Sequence, residues 1–181
     1  PPCATRRHWQ HCRVIALDLL VLGCLSAHQV GILTRKTIMS RLPHLKRVPE
    51  SEDQWFQALI DLARYLRGPE GCPWDREQSA ADFVKFARGE AEELVEAANS
   101  TDNAHFAEEF GDTFFTLLAG AAAAESEGRF LLVDALQAAH EKMIRRHEHV
   151  FGDEKAETPE DAIRVWNEVK AREKKRHQQP S

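Results

Sequence analysis

The sequence predicts an all-α domain, a bundle of about five helices, and three observations lead there. No run alternates apolar and polar residues at period two for long enough to make a strand. Five stretches repeat apolar residues at helical spacing, and each is bounded by recognisable caps or breakers. Two of those stretches carry acids in i, i+3 pairs on otherwise apolar faces. The chain has 181 residues, enough for one domain with a sizeable core and too few for two ordinary ones.

Helix one is expected from Ser51, where Ser51-Glu52-Asp53-Gln54 fits a capping box and Trp55, Phe56, Leu59, Ile60, Leu62, Ala63 and Leu66 form a stripe ending at Gly68. A rigid loop, PEGCPWD, leads to helix two, with Ser79 as N-cap and Asn99-Ser100 at its end. Helix three runs from about Asn103 to Glu127, and Gly128 stops it. Helix four places Leu132, Leu136, Ala139 and Met143 at helical spacing and ends near His147. Thr158-Pro159 opens a fifth, whose stripe is Ala162, Val165, Trp166 and Val169.

The first 50 residues read differently, with three of the four cysteines (Cys3, Cys12, Cys24) and no sustained helical period. Val14 to Ala27 follows a basic stretch and looks like a leader's apolar core, but Asp18 interrupts it and it is too short to span a bilayer. Adjacent His11 and Cys12, beside Cys3 and His8, make a poor chelate for zinc. The expectation is a poorly structured or non-native extension over 1–50, with Met39 as the functional start, the domain over 51–176 and a tail over 177–181. A net charge of −5 without a basic, aromatic-interleaved stretch argues against a nucleic-acid polymer as partner, and the cysteine pattern suits a reducing, cytoplasmic setting. No membrane partner is expected.

Chemistry centres on four acids, Glu90, Glu93, Glu109 and Asp112. From Gly111 to Ala124 every residue but Asp112 is apolar, Gly or Thr, and no Lys or Arg stands within a turn of it. A carboxylate in such a setting costs several kcal/mol unless it is paired or bound to a cation. Packed antiparallel across the connection NSTDNAHFA, helices two and three would gather the acid pairs Glu90/Glu93 and Glu109/Asp112. Carboxylates crowded in this way repel one another unless a divalent ion holds them, and an all-oxygen set suits Mg²⁺ or Mn²⁺. The alternative is a helix pair with solvated acidic faces. On helix four, Lys142, Arg145 and Arg146 supply cations, with Lys142 and Arg146 on one face. Acids for metal and cations for phosphate suit a phosphoanhydride; the competing reading is a basic helix end complementing its dipole.

The stretches CPWDREQS, GEAEELVEA, EEFGD, EGRF, EKMIRRHEHVFGD and WNEVKAREK occur in this order, and together they resemble the motifs of MazG-type nucleoside triphosphate pyrophosphohydrolases. The resemblance covers roughly residues 51 to 175. It implies Mg²⁺-dependent hydrolysis of an NTP or dNTP to the monophosphate and pyrophosphate, nucleotide-pool housekeeping, and a homodimer or higher oligomer. Carried residue by residue, it makes Glu90, Glu93, Glu109 and Asp112 metal ligands, with Glu90 and Glu93 also in the catalytic set. Lys142 and Arg146 become phosphate contacts with catalytic roles, and Arg145 joins them on the substrate side. Trp74 and Asp75 of CPWD, and Trp166 and Lys170 near the C-terminus, match motifs with a substrate-side role; for both tryptophans a packing role is the competing reading.

The family pattern, Glu-Glu-x-x-Glu followed by Glu-x-x-Asp, is met except at its first acid, which is Gly89 here. Glu96, about 20° from residue 89 around the helix, and Glu92, about 60° away, are the candidate substitutes. The departure leaves a second reading open, a catalytically weakened nucleotide-binding or regulatory paralogue. Pyrophosphohydrolases acting on dUTP or phosphoribosyl-ATP are related possibilities. A ferritin-like di-iron site requires Glu-x-x-His, which the chain lacks.

Overall fold

A computed structural model describes residues 47–177; the expectations for the first 46 residues, Met39 included, lie outside it, as do residues 178–181. The described residues form helices joined by short connections: α1 (Glu52–Arg67), α2 (Pro73–Glu77), α3 (Ala80–Ala98), α4 (Asn103–Ser126), α5 (Leu132–Arg146), α6 (Glu148–Phe151) and α7 (Pro159–His177). All five expected helices are present, with two short ones added. At five and four residues, α2 and α6 are too short to show a period. By contacts the chain divides at Ala58/Leu59. Before that division Ser51 hydrogen-bonds Asp53, while the Gln54 side chain accepts from Glu50 N at 3.0 Å. The reaching-back contact therefore lies one residue earlier than the sequence suggested.

From Leu59 onward, the centre is the α3–α4 hairpin. Ser79 caps α3 in a full capping box with Asp82, whose carboxyl is held at about 2, first by the Ser79 hydroxyl and then by Lys85. Asp102 caps α4 by accepting from Ala104 N and His105 N. At the far end Gly128, at φ 68°, takes the left-handed conformation that ends a helix at little cost.

Along the hairpin, Phe83 is fully buried and Ala80, Ala119, Ala123 and Ala124 pack around it. Small residues on α4 let α3 approach closely: a Cβ placed on Gly120 would lie 3.3 Å from that of Phe83. Trp74 stacks on Phe86 with centroids 5.5 Å apart and meets Phe83 edge-on at 6.2 Å. The CPWD tryptophan thus packs its loop against the core.

Arginines tie the elements together. Arg67 donates to the part-buried carbonyls of Asp75 and Gln78, and Arg76 to the more exposed ones of Gly68 and Pro69, so the loop is held from both sides. Arg64 makes a bidentate pair with Glu125 at 2.9 and 2.8 Å, and Glu125 also accepts from Leu132 N, joining α1, α4 and the start of α5. The pairing holds the Glu125 carboxyl below its usual range. Helix α5 then packs with α6 and α7, where Val165 and Val169 are buried.

Candidate metal centre

The acids come together where α3 and α4 face each other. Ligand atoms of Glu90, Glu109 and Asp112 all lie within 4.8 Å of one another. On α3, Glu90 continues the inward stripe of Phe83 and Ala87, two turns past Phe83. On α4 the inward line is Glu109, Thr116 and Ala123, which places Asp112 about 60° from Glu109 around the helix. Glu109 is the buried acid, at 0% exposure, and Asp112 is half-buried. Asp112 has the more apolar neighbours in sequence, but the angle around the axis decides depth.

Glu93, also half-buried, stands one turn beyond Glu90 and is not part of that cluster of three. Its offset of about 60° from Glu90 turns it toward the hairpin's edge.

For a hard divalent cation the donor set fits: all donors are carboxylate oxygens, drawn from two helices fixed by a packed core. Opposite ligands on Mg²⁺ stand about 4.2 Å apart, so the cluster is near the span an ion requires. Holding three carboxylates so close, one of them fully buried, stores repulsion that a cation relieves.

Gly89 borders the site on α3, and a Cβ there would meet nothing within 4 Å. Its backbone is helical, so Gly89→Ala should stabilise the protein by roughly 0.5 to 1 kcal/mol through helix propensity alone. In thermal melts Tm should rise by about 2–4 °C; a fall would mean that the open space serves the site.

The cations expected to meet phosphate are all on α5. Lys142 is half-buried and, among the described residues, forms no ion pair. Arg146 donates to Glu173 at 3.0 and 2.9 Å and lies over the Trp166 ring at 5.3 Å; Arg145 pairs with the same carboxylate at 3.1 Å. The Arg146 and Arg145 hydrogen bonds, in that order, hold the Glu173 carboxyl below its usual range. Trp166 also meets His147 edge-on at 5.1 Å, and Lys170 is exposed. Two of the three expected phosphate contacts are therefore engaged by the last helix. Their partner lies 27 residues or more along the chain, which local spacing does not reveal. Asp75 is buried at the start of α2, with Arg67 bound to its carbonyl.

Comparison with known proteins places these features in a wider set. The model of the MazG nucleotide pyrophosphohydrolase domain matches residues 78–151. The uncharacterized protein YabN of Bacillus subtilis (strain 168) is 35% identical over 146 residues, covering 78% of this chain and 30% of its own length. The nucleoside triphosphate pyrophosphohydrolase/pyrophosphatase MazG of Thermotoga maritima is 36% identical, over 66% of this chain and 45% of that protein. For the nucleoside triphosphate pyrophosphohydrolase of Escherichia coli (strain K12) the figures are 36%, 68% and 47%. The chain thus spans less than half the length of each of these three. The crystal structure of a mazG-related protein from Thermotoga maritima superposes with a TM-score of 0.55 at 33% identity, covering 64% of this chain and 98% of that one.

Proposed function

The chain belongs to the MazG nucleotide pyrophosphohydrolase family, and on that premise we propose that it hydrolyses nucleoside triphosphates, NTP or dNTP, to the monophosphate and pyrophosphate with Mg²⁺, Mn²⁺ being able to substitute. The observation that carries the reading is the convergence of Glu90, Glu109 and Asp112 between two packed helices. A divalent cation held there supplies charge neutralisation and Lewis-acid polarisation of phosphate oxygens. Glu90 and Glu109, anchored on facing helices, fix the position of that charge relative to the substrate. Glu93, one turn along α3, would accept a proton or complete the ligand set. Lys142 contributes a cation to the phosphates, and Arg145 and Arg146 join it when phosphate competes with Glu173 for them. On this reading Trp74 and Asp75 shape the loop beside α3, and Trp166 and Lys170 support the basic side of the site.

A second copy of the chain is part of the proposal. Between α3, α4 and the start of α5 runs an apolar groove of about 450 Å³ lined by Val84, Leu117, Ala121 and Phe130, with Val84 and Leu117 62% and 53% exposed. Apolar surface of this kind suits a homodimer face. No helix among the described residues is long and apolar enough to cross a membrane.

Incubation with a panel of NTPs and dNTPs, dUTP and phosphoribosyl-ATP included, should release pyrophosphate only with Mg²⁺ or Mn²⁺. Lys142→Ala should lower kcat/KM by about 30- to 10³-fold, or roughly 2 to 4 kcal/mol. Tight nucleotide binding without turnover would instead select the regulatory reading that the missing acid at Gly89 favours. Unchanged kinetics in Lys142→Ala would remove the lysine from the phosphate site.

A further inference from the structure

Glu109 is shared by two clusters of potential ligands. Besides its place with Glu90 and Asp112, it groups with His105 and Glu108, again within 4.8 Å. His105 lies one turn earlier on α4, and its Nδ1 is 3.4 Å from Glu109 Oε1 and 4.0 Å from Glu108 Oε2. The imidazole is 46% exposed, whereas the Glu109 side chain is 1% exposed. A half-exposed ring therefore touches the one acid of the centre that is sealed from solvent. Its own backbone is pinned, because Asp102 accepts from His105 N at 3.1 Å.

We propose that His105 is a positioning residue of the metal centre: donating from Nδ1 to Glu109 Oε1, it holds that carboxylate in the orientation that brings it to Glu90 and Asp112. The inference rests on the metal reading above and deepens it. Carboxylates that bind metal are oriented by hydrogen bonds from side chains behind them, and loss of such a partner weakens metal affinity by about 10- to 100-fold. The geometry is local and durable, since residues i and i+4 on a helix face each other whenever the helix is formed. The ring can donate from Nδ1 either as the neutral Nδ1–H tautomer or as the imidazolium, the charged form more strongly. Glu108, 52% exposed on the same turn, is a competing acceptor for that proton but not a member of the first cluster.

Mn²⁺ titration of the full chain, followed by the EPR signal of the free ion, tests this without reference to turnover. His105→Ala should weaken Mn²⁺ binding by about 10- to 100-fold while the metal-free Tm stays within a few degrees. His105→Asn, which carries an amide N–H at a similar distance from the backbone, should restore affinity to within a few-fold, and it keeps the test open if the alanine variant folds poorly. Wild-type affinity in His105→Ala, or no rescue by Asn, overturns the proposal. Asp112→Asn separates the two levels. If it abolishes Mn²⁺ binding while His105→Ala does not, the metal centre stands and only the positioning role falls. If wild type and Asp112→Asn behave alike, whether both bind or neither does, the metal centre falls and takes this inference with it.

Discussion

Asp112→Asn should abolish Mg²⁺-dependent hydrolysis, a loss on the order of 10³-fold or more, and leave the metal-free protein as stable as wild type or more so. The sign follows from the crowding of three carboxylates within 4.8 Å: without a cation they repel, and neutralising one relieves that repulsion. Glu109→Gln should behave alike in activity and serves as the harsher test, because its side chain is fully buried. Were either acid instead half of a structural ion pair, removing its charge would strand a buried cation and cost roughly 3 to 5 kcal/mol. Thermal melts with and without Mg²⁺ distinguish the cases. A ligand at 100 times its Kd adds about 2.7 kcal/mol, so Mg²⁺ should raise the wild-type Tm and leave Asp112→Asn nearly unmoved. Equal Mg²⁺ stabilisation of both proteins would refute the centre as described.

The acids also show where sequence reading succeeds and where it stops. Helix ends were legible because caps act over three or four residues: Ser79, Gly128 and Thr158-Pro159 all sit where the sequence placed them. Two helices joined by a few residues pack antiparallel, so the meeting of Glu90 with Glu109 and Asp112 could be anticipated. Depth could not. Which of two acids three residues apart points at the partner helix depends on the axial angle of the packing, and this buries Glu109 rather than Asp112. The engagement of Arg145 and Arg146 by Glu173 was hidden for another reason, since it joins residues on α5 and α7 that no local pattern links. His105 left a signal that could have been read: a histidine four residues before a candidate ligand on the same helix shares its face.

Phe83→Ala should be the most damaging change to the fold itself, costing about 3 to 5 kcal/mol. Phe83 is fully buried at the centre of the hairpin, with Trp74 and Phe86 edge-on at 6.2 and 6.0 Å and the Arg67 guanidinium 5.9 Å from its ring centre. The facing surface of α4 is Ala119, Gly120 and Ala123, already the smallest side chains available, so nothing there can swing inward to fill the void. A site that cannot collapse pays the cavity term in full as well as the lost transfer energy. Domains of this size hold only about 5 to 15 kcal/mol in total, so the variant should unfold at markedly lower urea with little change in m. The damage should reach the metal centre too, because Glu90 lies two turns along the same stripe and depends on this packing for its approach to Glu109. Mg²⁺ should therefore protect Phe83→Ala less than wild type. Phe83→Leu, which keeps most of the volume, should lose only about 1 to 2 kcal/mol and retain the Mg²⁺ response. A loss below 1 kcal/mol in Phe83→Ala would show that the hairpin is held mainly by its caps and arginine ties, and not by this ring.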